Sequence, residues 1–321
     1  MQSDFFTFRT GDGLEIFTYR WQPDPETPAK AVVQIAHGMA EHAGRYQRLA
    51  EALCAAGYAV YANDHRGHGK TAGDPSQVGY FADTDGWFKV AADLRQLTDL
   101  VKTRHPHVPV FLLGHSMGSF LVRTCIIQNA EGIAGAVLSG TGGDPGLLGQ
   151  VGMALARAIG AFKGRRTPSP LLNQMSFGGF NKPFAPTRTE FDWLSRDPAE
   201  VDKYVADPYC GGVFSAGFFV DLLTGLAWIH RRENVARVPD DLPVYLFSGA
   251  ADPVGRNTRG VRQVADAYRR AGLRDVTVRC YAGGRHEMFN ETNRIEVYKD
   301  LIAWMDARLA ALPSGPAGSA P

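Results

Sequence analysis

The feature that most constrains this chain is Gly114-His115-Ser116-Met117-Gly118, which closes the apolar run Val110 to Leu113 and opens a helical pattern from Ser119 to Asn129. Gly-x-Ser-x-Gly between a strand and a helix predicts a nucleophile elbow, a strained turn that leaves the serine hydroxyl standing free. The flanking glycines are there because a Cβ at either position would meet neighbouring backbone. The hydroxyl of Ser116 would stand at the positive end of the following helix. The N–H of Met117 would point where an oxyanion develops. Five common residues match easily by themselves; the strand before and the helix after are what carry the reading.

The rest of the first half has the rhythm such an elbow needs. Phe5 to Arg9 and Leu14 to Trp21, on either side of Gly11-Asp12-Gly13, predict a hairpin at a sheet edge. Ala31 to Ala36 is apolar except for Gln34, the pattern of a strand buried on both faces. Helices are expected over Arg45 to Ala56, closed by Gly57, and over Gly86 to Thr103, where Leu94, Leu97 and Val101 form the apolar stripe. Strands are expected at Tyr58 to Ala62 and Gly135 to Ser139. The βαβαβ alternation implies an α/β fold with a mostly parallel sheet between helices.

The rhythm then breaks. From Thr141 to Asp240 no buried strand appears, and a hundred residues are too many for a plain loop. Helical patches at Leu147 to Phe162, Arg188 to Ser195 and Ala216 to Arg231 predict an inserted helical cap. The sheet resumes at Pro243 to Phe247, followed by a helix from Thr258 to Ala271, a strand at Asp275 to Tyr281 and a helix from Arg294 to Ala310. The expected division is a core of residues 1–140 and 241–311, a cap of residues 141–240, and a disordered tail of residues 312–321.

A serine nucleophile needs a base, and the base needs an orienting acid. Asp252, in Ser248-Gly249-Ala250-Ala251-Asp252, follows the first strand after the cap, and His286 follows the last strand. Both would stand on the same sheet edge as Ser116. His286 is the only one of nine histidines beyond Asp252. Asp144, before the cap, is the competing acid. A second oxyanion N–H is expected from Met39, in His37-Gly38-Met39 after the strand Ala31 to Ala36.

His37-Gly38-Met39-Ala40-Glu41-His42-Ala43-Gly44-Arg45-Tyr46, Asp64-His65-Arg66-Gly67-His68-Gly69 and the elbow together resemble the monoacylglycerol lipase and lysophospholipase branch of serine α/β-hydrolases. Ser248 to Asp252 and Gly284-Arg285-His286-Glu287 are similar to that family's acid and base segments. The resemblance spans about Phe5 to Leu309. It implies an α/β-hydrolase fold with an eight-stranded sheet and a helical cap, and hydrolysis of carboxylic esters. It assigns Ser116, Asp252 and His286 as nucleophile, acid and base, and Met39 and Met117 as oxyanion donors. Ser119 departs from the family, which usually has a glycine there. His65, Arg66 and His68 are read as hydrogen-bonding residues of a turn rather than metal ligands. Glu41 and His42 are read as polar links beneath the oxyanion loop; Glu287 stands where it could tune the pKa of the base, but is read as a solvated carboxylate, as most glutamates in such loops are.

The expected enzyme needs neither metal nor cofactor, and the resemblance implies monoacylglycerols or lysophospholipids as its favoured substrates. A short-chain carboxylesterase is the nearest rival, with a proline-specific peptidase further off. The rival from another class is a non-catalytic ligand-binding scaffold, disfavoured because all three chemical residues are present in order. In the first cap helix Leu147, Leu148, Val151, Leu155, Ile159 and Phe162 recur near i, i+4 spacing, with Lys163, Arg165 and Arg166 following. Packing over the site mouth is the favoured reading, with weak peripheral membrane contact as the other. A net charge of +1 argues against nucleic acid as a partner. The N-terminus lacks a basic segment and an apolar core, four scattered cysteines read as buried thiols, and a cytoplasmic location is expected.

Overall fold

The computed structural model describes residues 1–23 and 28–312. The predicted tail beyond Leu312 and most of the loop from Pro23 to Pro28 lie outside the described residues. Eight strands form one sheet: β1 (Gln2–Arg9), β2 (Glu15–Gln22), β3 (Ala31–Ala36), β4 (Tyr58–Asn63), β5 (Val110–His115), β6 (Ile133–Ser139), β7 (Val244–Gly249) and β8 (Val276–Tyr281). Their order is β1-β2-β4-β3-β5-β6-β7-β8. β2 pairs antiparallel with both neighbours, and pairing from β4 through β8 is parallel.

The helices are α1 (Gln47–Ala55), α2 (Gly69–Ala72), α3 (Gly86–Arg104), α4 (Met117–Gln128), α5 (Gly146–Lys163), α6 (Pro170–Phe177), α7 (Pro198–Ala206), α8 (Ala216–Ile229), α9 (Arg232–Val235), α10 (Arg259–Arg270) and α11 (Arg294–Ala311). The continuous apolar runs are explained by two cores, one on each sheet face. Successive residues of a strand point to opposite faces. Val32, Leu112, Leu138 and Leu246 therefore join the core under α3, α4 and α10, while Val33, Phe111, Val137 and Tyr245 join the core under α1 and α11. Gln34 lies inside the first core, where its amide donates to Leu94 O (2.8 Å) and accepts from Thr98 (2.8 Å).

This topology positions the site. The chain steps from β3 to β4 on one side and then returns to β5 on the other, so the loops leaving β3 and β5 part and open a crevice at the carboxyl ends of the strands. Between β6 and β7 the chain runs through α5 to α9. The predicted helix over Arg188 to Ser195 is instead a turn with one 3-10 segment, Asp192–Leu194, while α6 and α7 were not predicted. Both open on a proline after a capping side chain, Ser169 and Asp197, and both are too short for a strong periodic signal.

Candidate active site

Ser116 sits between β5 and α4 with φ +51° and ψ −121°, a conformation that an L-residue holds only when its surroundings impose it. The neighbouring glycines explain how. A Cβ on Gly114 would lie 2.3 Å from Gly118 O, and one on Gly118 would lie 2.0 Å from Ala36 O. Helix α4 thus packs directly on the ends of β3 and β5, and any larger residue would push the elbow open. Ser119, where a glycine is usual, is wholly buried and its hydroxyl donates to Ser116 O (2.6 Å).

His286 and Asp252 come from the loops after β8 and β7. His286 Nδ1 lies 3.0 Å from Asp252 Oδ1, and both residues are buried. Asp252 is held by two further donors, Val254 N–H to Oδ1 (2.9 Å) and Ser248 Oγ–H to Oδ2 (3.0 Å). Asp144 is exposed, and its carboxylate accepts a local N–H from Gly146 (2.8 Å) rather than facing His286. Burial disfavours the His286 cation, but the charge and hydrogen bond of Asp252 more than offset this and raise its pKa above the ordinary 6.5. His115 lies beside it, ring centroids 4.7 Å apart, and burial holds its pKa down at about 3. Of the two adjacent imidazoles, His286 is the one hydrogen-bonded to a carboxylate.

Ser116, His286 and the Gly38–Met39 turn line one cavity of about 290 Å³. Its other wall comes from the segment between β6 and β7, with Phe177, Phe191, Trp193, Leu194 and Tyr204 as apolar surface and Asn173, Gln174 and Glu190 as polar surface. The sequence reading missed how tightly this wall is tied to His286. The N–H of Glu287 donates to Leu194 O (2.7 Å) and that of His286 to Trp193 O (3.4 Å). Arg285 donates to Ser195 O (3.1 Å), and the Trp193 ring lies 5.1 Å from the imidazole of His286. No periodicity marks this contact; a lone tryptophan in an irregular segment was the only signal.

Beneath the turn after β3 is a buried ionic network. Gly38 N–H (2.6 Å) and Tyr46 OH (2.8 Å) donate to Glu41 Oε1, and Arg45 donates to Glu41 Oε2 (2.7 Å). Arg45 also forms a bidentate pair with Glu287 (2.6 and 2.7 Å). Glu287 is therefore not solvated: it is 5 % exposed and joins the base loop to the loop carrying Met39. Burial alone would raise its pKa, but Arg45 pulls it down to about 2, whereas burial pushes that of Glu41 upward. His65 Nε2 faces His37 O at 3.1 Å, and Arg66 pairs with Asp12 and Asp93.

The cysteines and α5 need correction. Cys54 and Cys125 are buried, but Cys210 and Cys280 are partly exposed. On α5 only Ala156 is fully buried; Leu147, Leu148, Val151 and Phe162 face outward, and no α5 residue lines the cavity. Among the described residues no helix is long and apolar enough to cross a membrane.

A serine elbow at the switch point of this sheet, facing a histidine–aspartate pair, defines a serine-type α/β-hydrolase. The family model described as serine aminopeptidase, S33 matches residues 27–293, and the chain belongs to that family. A monoacylglycerol lipase of Mycolicibacterium smegmatis is 31 % identical, with 92 % of this chain and 95 % of the relative covered. A monoglyceride lipase of Mus musculus is 29 % identical over 95 % and 91 %. The solved structure of a thermostable carboxyl esterase from Bacillus coagulans, in complex with glycerol, superposes with a TM-score of 0.89 at 27 % identity, covering 96 % of this chain and 99 % of that one.

Proposed function

We propose that this protein is a carboxylic ester hydrolase working through an acyl-enzyme on Ser116, with monoacylglycerols or lysophospholipids as the favoured substrates. The observation that carries the reading is the strained Ser116 at a cavity shared with His286, whose Nδ1 is engaged by Asp252. With Nδ1–H donated to the carboxylate, Nε2 is the base nitrogen that takes the Ser116 proton as the hydroxyl attacks the ester carbonyl. Asp252 stabilises the resulting imidazolium. The N–H groups of Met39 and Met117 stabilise the tetrahedral oxyanion, with the positive end of α4 behind it. His286 then protonates the leaving alcohol, and water repeats the attack on the acyl-enzyme.

Residues 141–240 act in this scheme as a cap over a core of residues 1–140 and 241–311. The names of the lipase relatives support an acylglycerol substrate, as do the aromatic side chains Phe177, Phe191 and Trp193 on the cap wall. A cavity of about 290 Å³ is at the small end for ligand sites, which favours a short-chain ester as the second reading. The outward apolar face of α5, with Lys163, Arg165 and Arg166 beyond it, supports weak peripheral contact with a lipid surface. Four free thiols fit a reducing, cytoplasmic setting.

The test is turnover of a monoacylglycerol series of rising chain length, beside labelling by a fluorophosphonate probe. Long-chain preference with labelling at Ser116 is the expected result. Turnover confined to the shortest chains keeps the chemistry and selects the second reading; no labelling and no turnover would mean a binding scaffold.

A further inference from the structure

Outside the ester site, three side chains from two segments meet at the seam between cap and core. His42 comes from the loop after β3, which also carries Met39. Asp207 and Cys210 come from the turn that follows α7. One donor atom from each, the Asp207 carboxylate, a His42 ring nitrogen and Cys210 Sγ, lies within 4.8 Å of the others. The turn presents its ligands in a fixed way. Tyr209 N–H donates to Asp207 Oδ1 (2.9 Å) and Cys210 N–H to Asp207 O (3.0 Å). Asp207 Oδ2 is left to face His42 Nε2 at 2.8 Å. All three residues are only half-buried, so an ion can reach them from solvent.

A hydrogen bond between His42 and Asp207 would by itself be a structural latch. The thiol beside it makes the group a donor set of one imidazole nitrogen, one sulfur and one carboxylate oxygen. Magnesium and calcium prefer all-oxygen sites, whereas zinc takes this mixture. We propose that this seam is a binding site for a zinc-class divalent cation, held by His42, Asp207 and Cys210 with water in the fourth position. Bonds of about 2.0–2.3 Å in a tetrahedral site set the donors roughly 3.5 Å apart. The cluster reaches that spacing by small side-chain rotations: the His42–Asp207 contact opens and the sulfur moves in. The thiol proton leaves to water, and thiolate and carboxylate together balance the dication. The Arg45 guanidinium nearby is already met by Glu41 and Glu287 and stays where it is.

The bound ion would brace two walls of the cavity without touching Ser116. Ala40 O already accepts from Gly211 N–H (3.0 Å) and Tyr204 OH (2.8 Å). His42 and Cys210 extend that seam by one more cross-link.

The test uses the reduced, chelator-treated full chain titrated with Co²⁺ and then Zn²⁺. One equivalent of Co²⁺ is expected to give a thiolate-to-cobalt charge-transfer band in the near ultraviolet, displaced by Zn²⁺. Cys210→Ser should abolish the band, and both Cys210→Ser and His42→Ala should weaken Zn²⁺ binding by at least about tenfold. Circular dichroism checks that each variant is folded, with Cys210→Ala as the replacement if serine is not tolerated. His107→Gln, which removes an exposed imidazole outside the cluster, should leave the band unchanged. A parent spectrum without the band, or a band that survives loss of the Cys210 thiol, overturns the site.

Discussion

The loops at the carboxyl ends of β3, β5, β7 and β8 and the helix α5 are built on opposite terms. On the loops, polar side chains are buried and paired: Asp252 accepts from two donors besides its contact with His286, and Glu41 accepts three hydrogen bonds. On α5, large apolar side chains face out, Phe162 at 91 % exposure and Leu147 at 78 %. The first arrangement costs desolvation and returns geometry, since a buried charge is held only by well-placed partners. The second leaves apolar area uncovered, which a monomeric protein seldom does without a surface to meet. The contrast teaches that the chemistry is fixed by buried, paired groups at the sheet edge, while α5 leaves an apolar face open to solvent.

The largest test of that division is Ser116→Ala. Turnover should fall by about 10⁴-fold or more while stability is kept or slightly raised, because the change removes only a hydroxyl from a half-buried turn. Steady-state hydrolysis and thermal melting read the two effects, and activity that persisted would break the contrast at its root. Asp252→Asn comes next, with a loss of about 10³–10⁴-fold. It also has a pH signature. His286 must be neutral to act as base, and Asp252 raises its pKa, so kcat/KM of the parent should climb through a value above 6.5. In the variant the rise should move to lower pH; an unmoved rise would mean another group titrates.

A smaller effect, on stability rather than chemistry, is expected from Arg45→Met. It strips two buried carboxyls of their partner and should cost about 3–5 kcal/mol by urea unfolding. Glu287 is held at about 2 against an ordinary 4.5. Its ionic contribution is therefore whole above pH 4.5 and lost as pH falls toward 2, and Glu287→Gln should lack that loss. The smallest effect is expected on α5. Phe162→Ser with Leu147→Ser should lower co-sedimentation with anionic vesicles several-fold and leave turnover of a water-soluble ester unchanged. Equal vesicle binding by parent and variant would remove the lipid-facing half of the comparison.

The strands were legible in the sequence because a sheet covered on both faces requires unbroken apolar runs, and Val110–His115 or Val244–Gly249 resemble little else. The proximity of Ser116, Asp252 and His286 followed from chain order and strand ends. What escaped was either local and weak or distant and strong. Helices α6 and α7 are eight and nine residues long, with little periodicity to count. The Arg45–Glu287 pair spans 242 positions, and nothing near either residue announces the other. Glu287 was read as solvated for that reason. The outward face of α5 had an ambiguous pattern, since a stripe of leucines is written the same way whether protein or lipid covers it.

The backbone bonds from Glu287 and His286 to Leu194 and Trp193 carry a lesson for anyone wishing to exchange caps between relatives. An insertion between two strands invites treatment as a cartridge, cut at its ends and replaced. Here a stretch deep inside the insertion, Trp193 to Ser195, supplies the carbonyls and the aromatic ring against which the histidine loop is set. A graft that matched only the junctions near Thr141 and Asp240 would fit the sheet and still deliver a loosened base. Chimaeras of this fold should be cut so that those residues travel with the core.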